Sequence, residues 1–348
     1  MAAQAQILAG VLAGDVRALA RACRLVDERW PGHHELLSAA FPHSRSSWWI
    51  GITGSPGVGK STLTSRLIQH LRAQGQRVGV VAVDPSSPFS GGALLGDRIR
   101  MQAHWDDPEV FIRSLATRGA LGGLSRTTAD VARLLSAWGA SAVLIETVGV
   151  GQDEIEVMHV AHSTLVLQAP GGGDDLQAAK AGLLECADVF AVNKADLSGA
   201  DSAAQHLRGM LALAGVTAGA ARASGHSGLP RTPSGTSGLG AGSGAAPAGP
   251  SGWEVPVLKC VAQRDEGVAE VLAALRAHYT WLTTSAEGQA RQVGRLRGEL
   301  LVLLRERLNE WVFERQRGPI EALADRVSRG EIDPYAAVQS LLGSAGLV

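Results

Sequence analysis

Lysine is scarce in this 348-residue chain: of its 32 Lys and Arg residues only four are lysines, Lys60, Lys180, Lys194 and Lys259. Arginine is a planar fork and lysine a compact charge on a flexible stem, so a retained lysine marks places where one ammonium must fit a tight phosphate or base site. Net charge is also lacking. The formal value is -1 and the pI is about 6.8, which excludes the strong basic field that nucleic acid or an anionic membrane selects. No apolar run reaches the roughly 18 residues of a membrane span, and Met1 to Gly14 has no basic n-region, so neither spanning nor secretion is expected. The three cysteines, Cys23, Cys186 and Cys260, are far apart and lie in apolar surroundings. They fit a reduced cytoplasm and a buried, inert role.

What is present in quantity is apolar side chain, 45% of the residues, enough for one large domain with appendages or for two. From Gln6 to about Leu37 apolar residues recur at helical spacing, with a break at Gly14-Asp15, and residues 1–46 read as a helical N-terminal extension. Short continuous apolar runs follow at Trp48 to Thr53, Val78 to Val83, Ala142 to Ile145, Thr164 to Leu167, Val189 to Val192 and Val257 to Val261. Continuous rather than alternating apolarity marks strands covered on both faces, so residues 47–280 are expected to form an α/β domain on a mainly parallel sheet. Residues 215–252 are almost entirely Gly, Ala, Ser, Pro and Thr and read as a flexible insertion within that domain. Residues 281–348 are helical. Val293, Leu296, Leu300, Leu304, Leu308 and Trp311 form an apolar stripe that either packs back on the domain or makes a dimer arm, the latter being the expectation.

Gly54-Ser55-Pro56-Gly57-Val58-Gly59-Lys60-Ser61 matches G-x-x-x-x-G-K-[ST] directly after a strand and before a helix, the context that gives this pattern its meaning. Glycines let the backbone curl so that its N–H groups and the helix N-terminus face phosphates. Lys60 then reaches the β- and γ-phosphates, Ser61 ligates Mg²⁺, and Thr62 follows in the first turn. Asn193-Lys194-Ala195-Asp196 ends a later strand, where an N-K-x-D guanine loop belongs. The Asp196 carboxylate accepts from guanine N1–H and N2–H together, a donor pair adenine lacks. Asn193 either ties this loop to the phosphate loop or reaches the base edge, and the Lys194 stem lies over the ring.

Glu146-Thr147-Val148-Gly149 stands at the end of a strand in the manner of D-x-x-G, with Gly149 offering its N–H to the γ-phosphate and Glu146 holding Mg²⁺ directly or through water. Val150 follows where small GTPases carry a water-orienting Gln, so slow intrinsic hydrolysis is expected. Asp84, at a strand end, and Asp97, in a glycine-rich stretch, are further candidates for Mg²⁺ or for the attacking water. Gly171 to Lys180 reads as another mobile loop, which carries Asp174, Gln177 and one of the four lysines.

The order of these motifs resembles the MeaB-type P-loop GTPases of the SIMIBI class, also labelled ArgK in bacteria, with a human relative in the methylmalonic aciduria type A protein. The residues that carry the resemblance are Gly54 to Ser61, Val83 to Pro88 with Gly91 to Arg98, Arg118 to Leu124, Glu146-Thr147-Val148-Gly149-Val150-Gly151-Gln152, Gly171 to Lys180, Asn193 to Asp196, and Asp333-Pro334-Tyr335. The resemblance implies a homodimeric, cytoplasmic GTPase that uses GTP, GDP and Mg²⁺ to assist an adenosylcobalamin-dependent acyl-CoA mutase, typically methylmalonyl-CoA mutase, without itself binding cobalamin. It maps the Mg²⁺ and switch acids onto Asp84, Asp97 and Glu146, and partner-responsive positions onto Asp174, Gln177 and Lys180. The family's Ser-Ala beside guanine is replaced by Cys260-Val261-Ala262, so Val261 and Ala262 would serve through backbone groups.

Two other readings compete. A metal-insertion GTPase would need clustered His or Cys, whereas His33-His34, His159 and His162 are sparse and C-x-x-C is absent. A small-molecule kinase would have no use for the Asn193 to Asp196 loop.

Overall fold

The computed structural model describes residues 2–44, 46–84, 102–116, 123–147, 160–171, 187–222, 252–315 and 317–344. The chain divides into two compact units, Met1–Gln292 and Val293–Val348.

The first unit is built on a seven-stranded sheet in the order β3-β2-β4-β1-β5-β6-β7, in which every neighbouring pair is parallel. The strands are β1 (Trp48–Thr53), β2 (Val78–Asp84), β3 (Val110–Ala116), β4 (Ala142–Glu146), β5 (Ser163–Gln168), β6 (Val189–Val192) and β7 (Val257–Lys259). β1, β4, β5 and β6 are buried along their whole length, the condition that continuous apolar sequence prepares. β3 has no counterpart among the expected strands. Arg113 and Ser114 interrupt its apolar run, and as an edge strand it tolerates them: Arg113 reaches out to pair with Asp27 at 2.8 Å.

Alternation along each strand sorts side chains between two faces. Trp48, Ile50, Ile52, Val78, Val80, Leu144 and Leu165 face helices α4 (Lys60–Ala73) and α7 (Val268–Thr284). Trp49, Val81, Val83, Val143 and Ile145 face the other way. Their partners are α5 (Gly123–Ala137) and the N-terminal helices α1 (Ala2–Leu12), α2 (Val16–Asp27) and α3 (His33–Ala40). α2 buries Leu19, Ala22, Cys23, Leu25 and Val26, so these helices complete one of the two core layers. The break between α1 and α2 has a local cause. Gly14 takes a positive φ of 83°, and the Asp15 carboxylate caps α2 by accepting from Arg17 N–H at 2.7 Å.

α6 (Ala200–Arg222) continues past Gly215, where the insertion was expected to begin; residues 215–222 keep enough alanine to prolong a helix already started. Residues 223–251 lie outside the described residues. α8 (Ala286–Arg315) spans the division between units, and α9 (Arg317–Ser328) and α10 (Pro334–Ser344) complete the second. Within that unit Asp333 caps α10, accepting from Tyr335 and Ala336 N–H at 2.9 and 3.0 Å. Of the apolar stripe, Val293, Leu300 and Leu304 are 66%, 66% and 55% exposed. Among the described residues no helix is long and apolar enough to cross a membrane.

Candidate nucleotide site

The C-terminal ends of the parallel strands bring the motifs together. After β1 the loop turns through Gly54, Gly57 and Gly59, all at positive φ (139°, 79° and 97°), and enters α4 at Lys60. Two of these glycines are also required by crowding: a Cβ on Gly54 would strike the Leu167 carbonyl oxygen, and one on Gly59 would strike Asn193 Nδ2. Val58 is buried, whereas Pro56, Gly57 and Thr62 are exposed and Ser55 and Gly59 are half-buried.

The buried Lys60 ammonium donates to the carbonyls of Gly54 and Ser55 at 2.6 and 3.1 Å, curled over its own loop. Beside it, Ser61 Oγ donates to Glu146 Oε1 at 2.6 Å, joining the first turn of α4 to the end of β4. A hydroxyl and a carboxylate converging next to an ammonium form the hard-oxygen donor set that Mg²⁺ takes, so the residues present fit that ion. Thr147, next in the chain, is fixed by a 3.0 Å hydrogen bond from its hydroxyl to Thr53 Oγ1. Asp84 is the last residue of β2, in the strand beside β4 and two residues past the Ala82–Glu146 register pair, so the backbone brings it to this same edge. Asp97, Gly149, Asp174, Gln177 and Lys180 lie outside the described residues.

Asn193 is the hub of the base-side loops. Its Nδ2 donates to Val58 O at 2.8 Å, and its Oδ1 accepts from Ala262 N–H at 3.0 Å and from the Cys260 thiol at 3.6 Å. Of the two alternatives for this side chain, the structure has the tie to the phosphate loop. Lys194, at a positive φ of 56°, reaches the same loop, donating to Gly57 O at 2.8 Å. Asp196 is left partly exposed, with the Arg264 guanidinium 3.7 Å from Oδ2.

Sequence reasoning missed the clamp on the opposite wall. Arg66, on the phosphate-loop helix, donates to the carbonyls of Ala262 and Gln263 at 3.0 and 2.8 Å, fixing the loop after β7. Val261 N–H is spent on Glu266 O at 2.8 Å, so the N–H groups of both Val261 and Ala262 are engaged within the protein. Burial pushes the Cys260 thiol up to about 12, which makes it a weak donor and not a nucleophile. Nothing in the sequence separates Arg66 from the other arginines.

A second constellation has the look of a catalytic triad. Ser163, at the start of β5, is 2.9 Å from His278 Nδ1, and His278 Nε2 is 3.3 Å from Asp188 Oδ1. Trp48 Nε1–H donates to Ser163 Oγ at 3.2 Å. The serine proton then goes to Nδ1, and the neutral ring carries its own on Nε2, toward the carboxylate. Burial, with Arg291 second, holds the His278 pKa down at about 3, so the contact is that of a neutral imidazole. Burial likewise raises the Asp188 carboxyl. Asp188 also accepts from Thr164 N–H at 2.8 Å and pairs with Arg291 at 2.7 Å. His278 and Ser163 have 0% exposure, and the group sits at the edge of the sheet opposite the phosphate loop. Buried at Ser163, His278 and Asp188, with the carboxylate paired to Arg291, it is a structural network.

A family model described as methylmalonyl Co-A mutase-associated GTPase MeaB matches residues 19–317. The chain belongs to the MeaB family. Relatives agree: a Pyrococcus abyssi protein bearing the name of a GTPase is 39% identical over 94% of this chain and 93% of its own length. Escherichia coli GTPase ArgK is 43% identical over 53% of this chain and 56% of its own length. The Mus musculus methylmalonic aciduria type A homolog, mitochondrial, is 45% identical over 42% of this chain and 35% of its own length. A crystal structure described as a LAO/AO transport system kinase superposes with a TM-score of 0.62 at 24% identity, covering 99% of this chain and 98% of that one. That likeness concerns the fold alone. As a MeaB-family member the chain is a P-loop GTPase related to the methylmalonic aciduria type A protein.

Proposed function

We propose that this GTPase is a chaperone of an adenosylcobalamin-dependent acyl-CoA mutase, with methylmalonyl-CoA mutase as the partner, and that GTP binding and hydrolysis time the loading, protection or reactivation of the mutase's cofactor. The observation that carries this reading is the match, over residues 19–317, to a family described by its association with that mutase. In this reading Gly54 to Thr62 cradle the phosphates, and Lys60 leaves the Gly54 and Ser55 carbonyls for the β- and γ-phosphate oxygens. Ser61, Glu146, Asp84 and Asp97 hold Mg²⁺ directly or through water; when bound, that ion neutralises charge on the phosphate oxygens. Asp196 reads guanine, Asn193 and Lys194 brace the base loop against the phosphate loop, and Gly149 meets the γ-phosphate. Asp174, Gln177 and Lys180 respond to the partner, and Val150 leaves basal turnover slow.

Residues 281–348 serve as the dimer arm, supported by the exposed stripe of Val293, Leu296, Leu300, Leu304 and Leu308. The site of action is the cytoplasm, and cobalamin is handled by the mutase and not held by this chain. The test is GTP turnover by the full chain with and without purified methylmalonyl-CoA mutase: the rate rises on addition of the partner. Equal turnover with every candidate mutase, and no co-purification, would sink the chaperone role while leaving the GTPase intact.

A further inference from the structure

Guanine differs from adenine on one edge at three places, the N1–H, the exocyclic amine and the O6 acceptor. The reading above assigns only the first two, to Asp196. The donor expected for O6 is a backbone N–H of the loop after β7, yet Val261 N–H is bonded to Glu266 O and Ala262 N–H to Asn193 Oδ1, at 2.8 and 3.0 Å. Neither is free to turn toward a base without breaking the bond that holds its loop.

On the same loop stands a donor held in place for the purpose. Residues Ala262–Arg264 form a single helical turn that Asp265 closes at a positive φ of 59°. Arg66 anchors that turn through its carbonyls. Glu266 grips the Arg264 guanidinium on one side, Nε at 2.9 Å and Nη2 at 3.2 Å, leaving Nη1 on the side of Asp196. At 3.7 Å from Oδ2, Nη1 lies beyond hydrogen-bond length. It keeps the carboxylate company without consuming the lone pairs that guanine needs.

O6 is the next atom along from N1–H, so a base seated on Asp196 with its N1–H toward Oδ2 presents its carbonyl beside a guanidinium already fixed there. We propose that Arg264 is a second guanine-specific contact, donating from Nη1 to O6, and that Glu266 is its positioning residue. Adenine would bring an amine donor to the same place and leave two donors facing each other, so the pair Asp196 and Arg264 rejects adenine twice. The inference rests on Asp196 being the guanine reader.

The test is calorimetric affinity of the full chain for GDP, IDP, 2-aminopurine riboside diphosphate and ADP, comparing the unaltered protein with Arg264→Ala and Asp196→Asn. IDP keeps O6 and N1–H and loses the amine; the 2-aminopurine nucleotide keeps the amine and loses both O6 and N1–H. Arg264→Ala is expected to weaken GDP and IDP alike by about tenfold, as loss of one charge-assisted hydrogen bond does, to leave the 2-aminopurine nucleotide unchanged, and to strengthen ADP by removing the donor that faces its amine. Glu266→Gln, which only loosens the guanidinium, is expected to weaken GDP less, with the same selectivity among nucleotides. Undiminished GDP affinity in Arg264→Ala, or equal loss for all four nucleotides, overturns the proposal. If Asp196→Asn loses the preference for GDP over ADP while Arg264→Ala changes nothing, the guanine reader stands and Arg264 falls alone. If Asp196→Asn leaves the base preference untouched, both fall.

Discussion

At the C-terminal edge of the sheet Lys60 bonds to loop carbonyls, Ser61 to Glu146, and Asp196 lies just out of bonding range of a guanidinium, partners that a nucleotide would replace in the proposed function. At the N-terminal edge Ser163, His278 and Asp188 use theirs on a closed circuit with Trp48, Thr164 and Arg291, under a roof of Trp253 whose ring meets His278 edge-on at 5.0 Å. The residue types are much the same. What separates a site from a strut is whether hydrogen-bonding capacity is left for something outside the chain.

The largest break in that contrast should come from Lys60→Ala. It removes an ammonium that bonds to the Gly54 and Ser55 carbonyls of its own loop, so nucleotide affinity is expected to fall about a hundredfold or more, while the melting temperature of the nucleotide-free protein moves little. Calorimetric titration with GDP beside a thermal melt checks both halves. Asp188→Ala should show the reverse pattern. It leaves Arg291 and the Thr164 N–H without their acceptor and is expected to cost about 3 kcal/mol of stability, with the ratio of GDP to ADP affinity preserved in denaturant-free buffer. Urea unfolding measures the first quantity; an altered nucleotide ratio would mean that the two edges are not separable.

A smaller effect is expected from pH. The His278 pKa is depressed to about 3 in the fold, so below the ordinary histidine range the unfolded chain takes up a proton that the folded chain refuses. Stability is then lost as pH falls from about 6.5 toward 3, at no more than about 1.4 kcal/mol per unit. Asp188, whose carboxyl is raised, works in the opposite sense and reduces the slope. His278→Gln should flatten the dependence of the urea midpoint between pH 4 and 6.5; an unchanged slope would point to other groups. The smallest change is Cys260→Ala, which deletes the long 3.6 Å thiol contact to Asn193 and the packing of one buried sulfur. A loss under about 1 kcal/mol in stability and under about threefold in GDP affinity would keep Asn193 held by Val58 and Ala262.

These two edges were not equally visible beforehand. The phosphate and base loops are contiguous stretches, and their chemistry is written in neighbouring letters: three glycines with positive φ in six residues, then Lys60 and Ser61. Strands covered on both faces were legible for the same local reason. β3 was not, because Arg113 serves a partner, Asp27, that only the folded chain supplies. The network of Ser163, Asp188, His278 and Arg291 had no local signature at all, since its members come from two strand starts and two helices. Arg66 and Arg264 were hidden by abundance, in a chain whose basic residues are nearly all arginine. The acids of the glycine-rich stretches were named from the sequence, and of these Asp97 and Asp174 fall outside the described residues.

The N-terminal helices carry a consequence for how the chain is made. α2 is complete at Asp27, but the helix it packs on, α5, begins at Gly123. A ribosome needs roughly 5–20 s to cover the interval of about a hundred residues. For that time Leu19, Leu25 and Val26 wait for a surface that has not yet been synthesised. The nascent segment therefore carries its apolar face before the core layer exists to cover it, and slowing translation between Asp27 and Gly123 should lengthen its exposure to proteases.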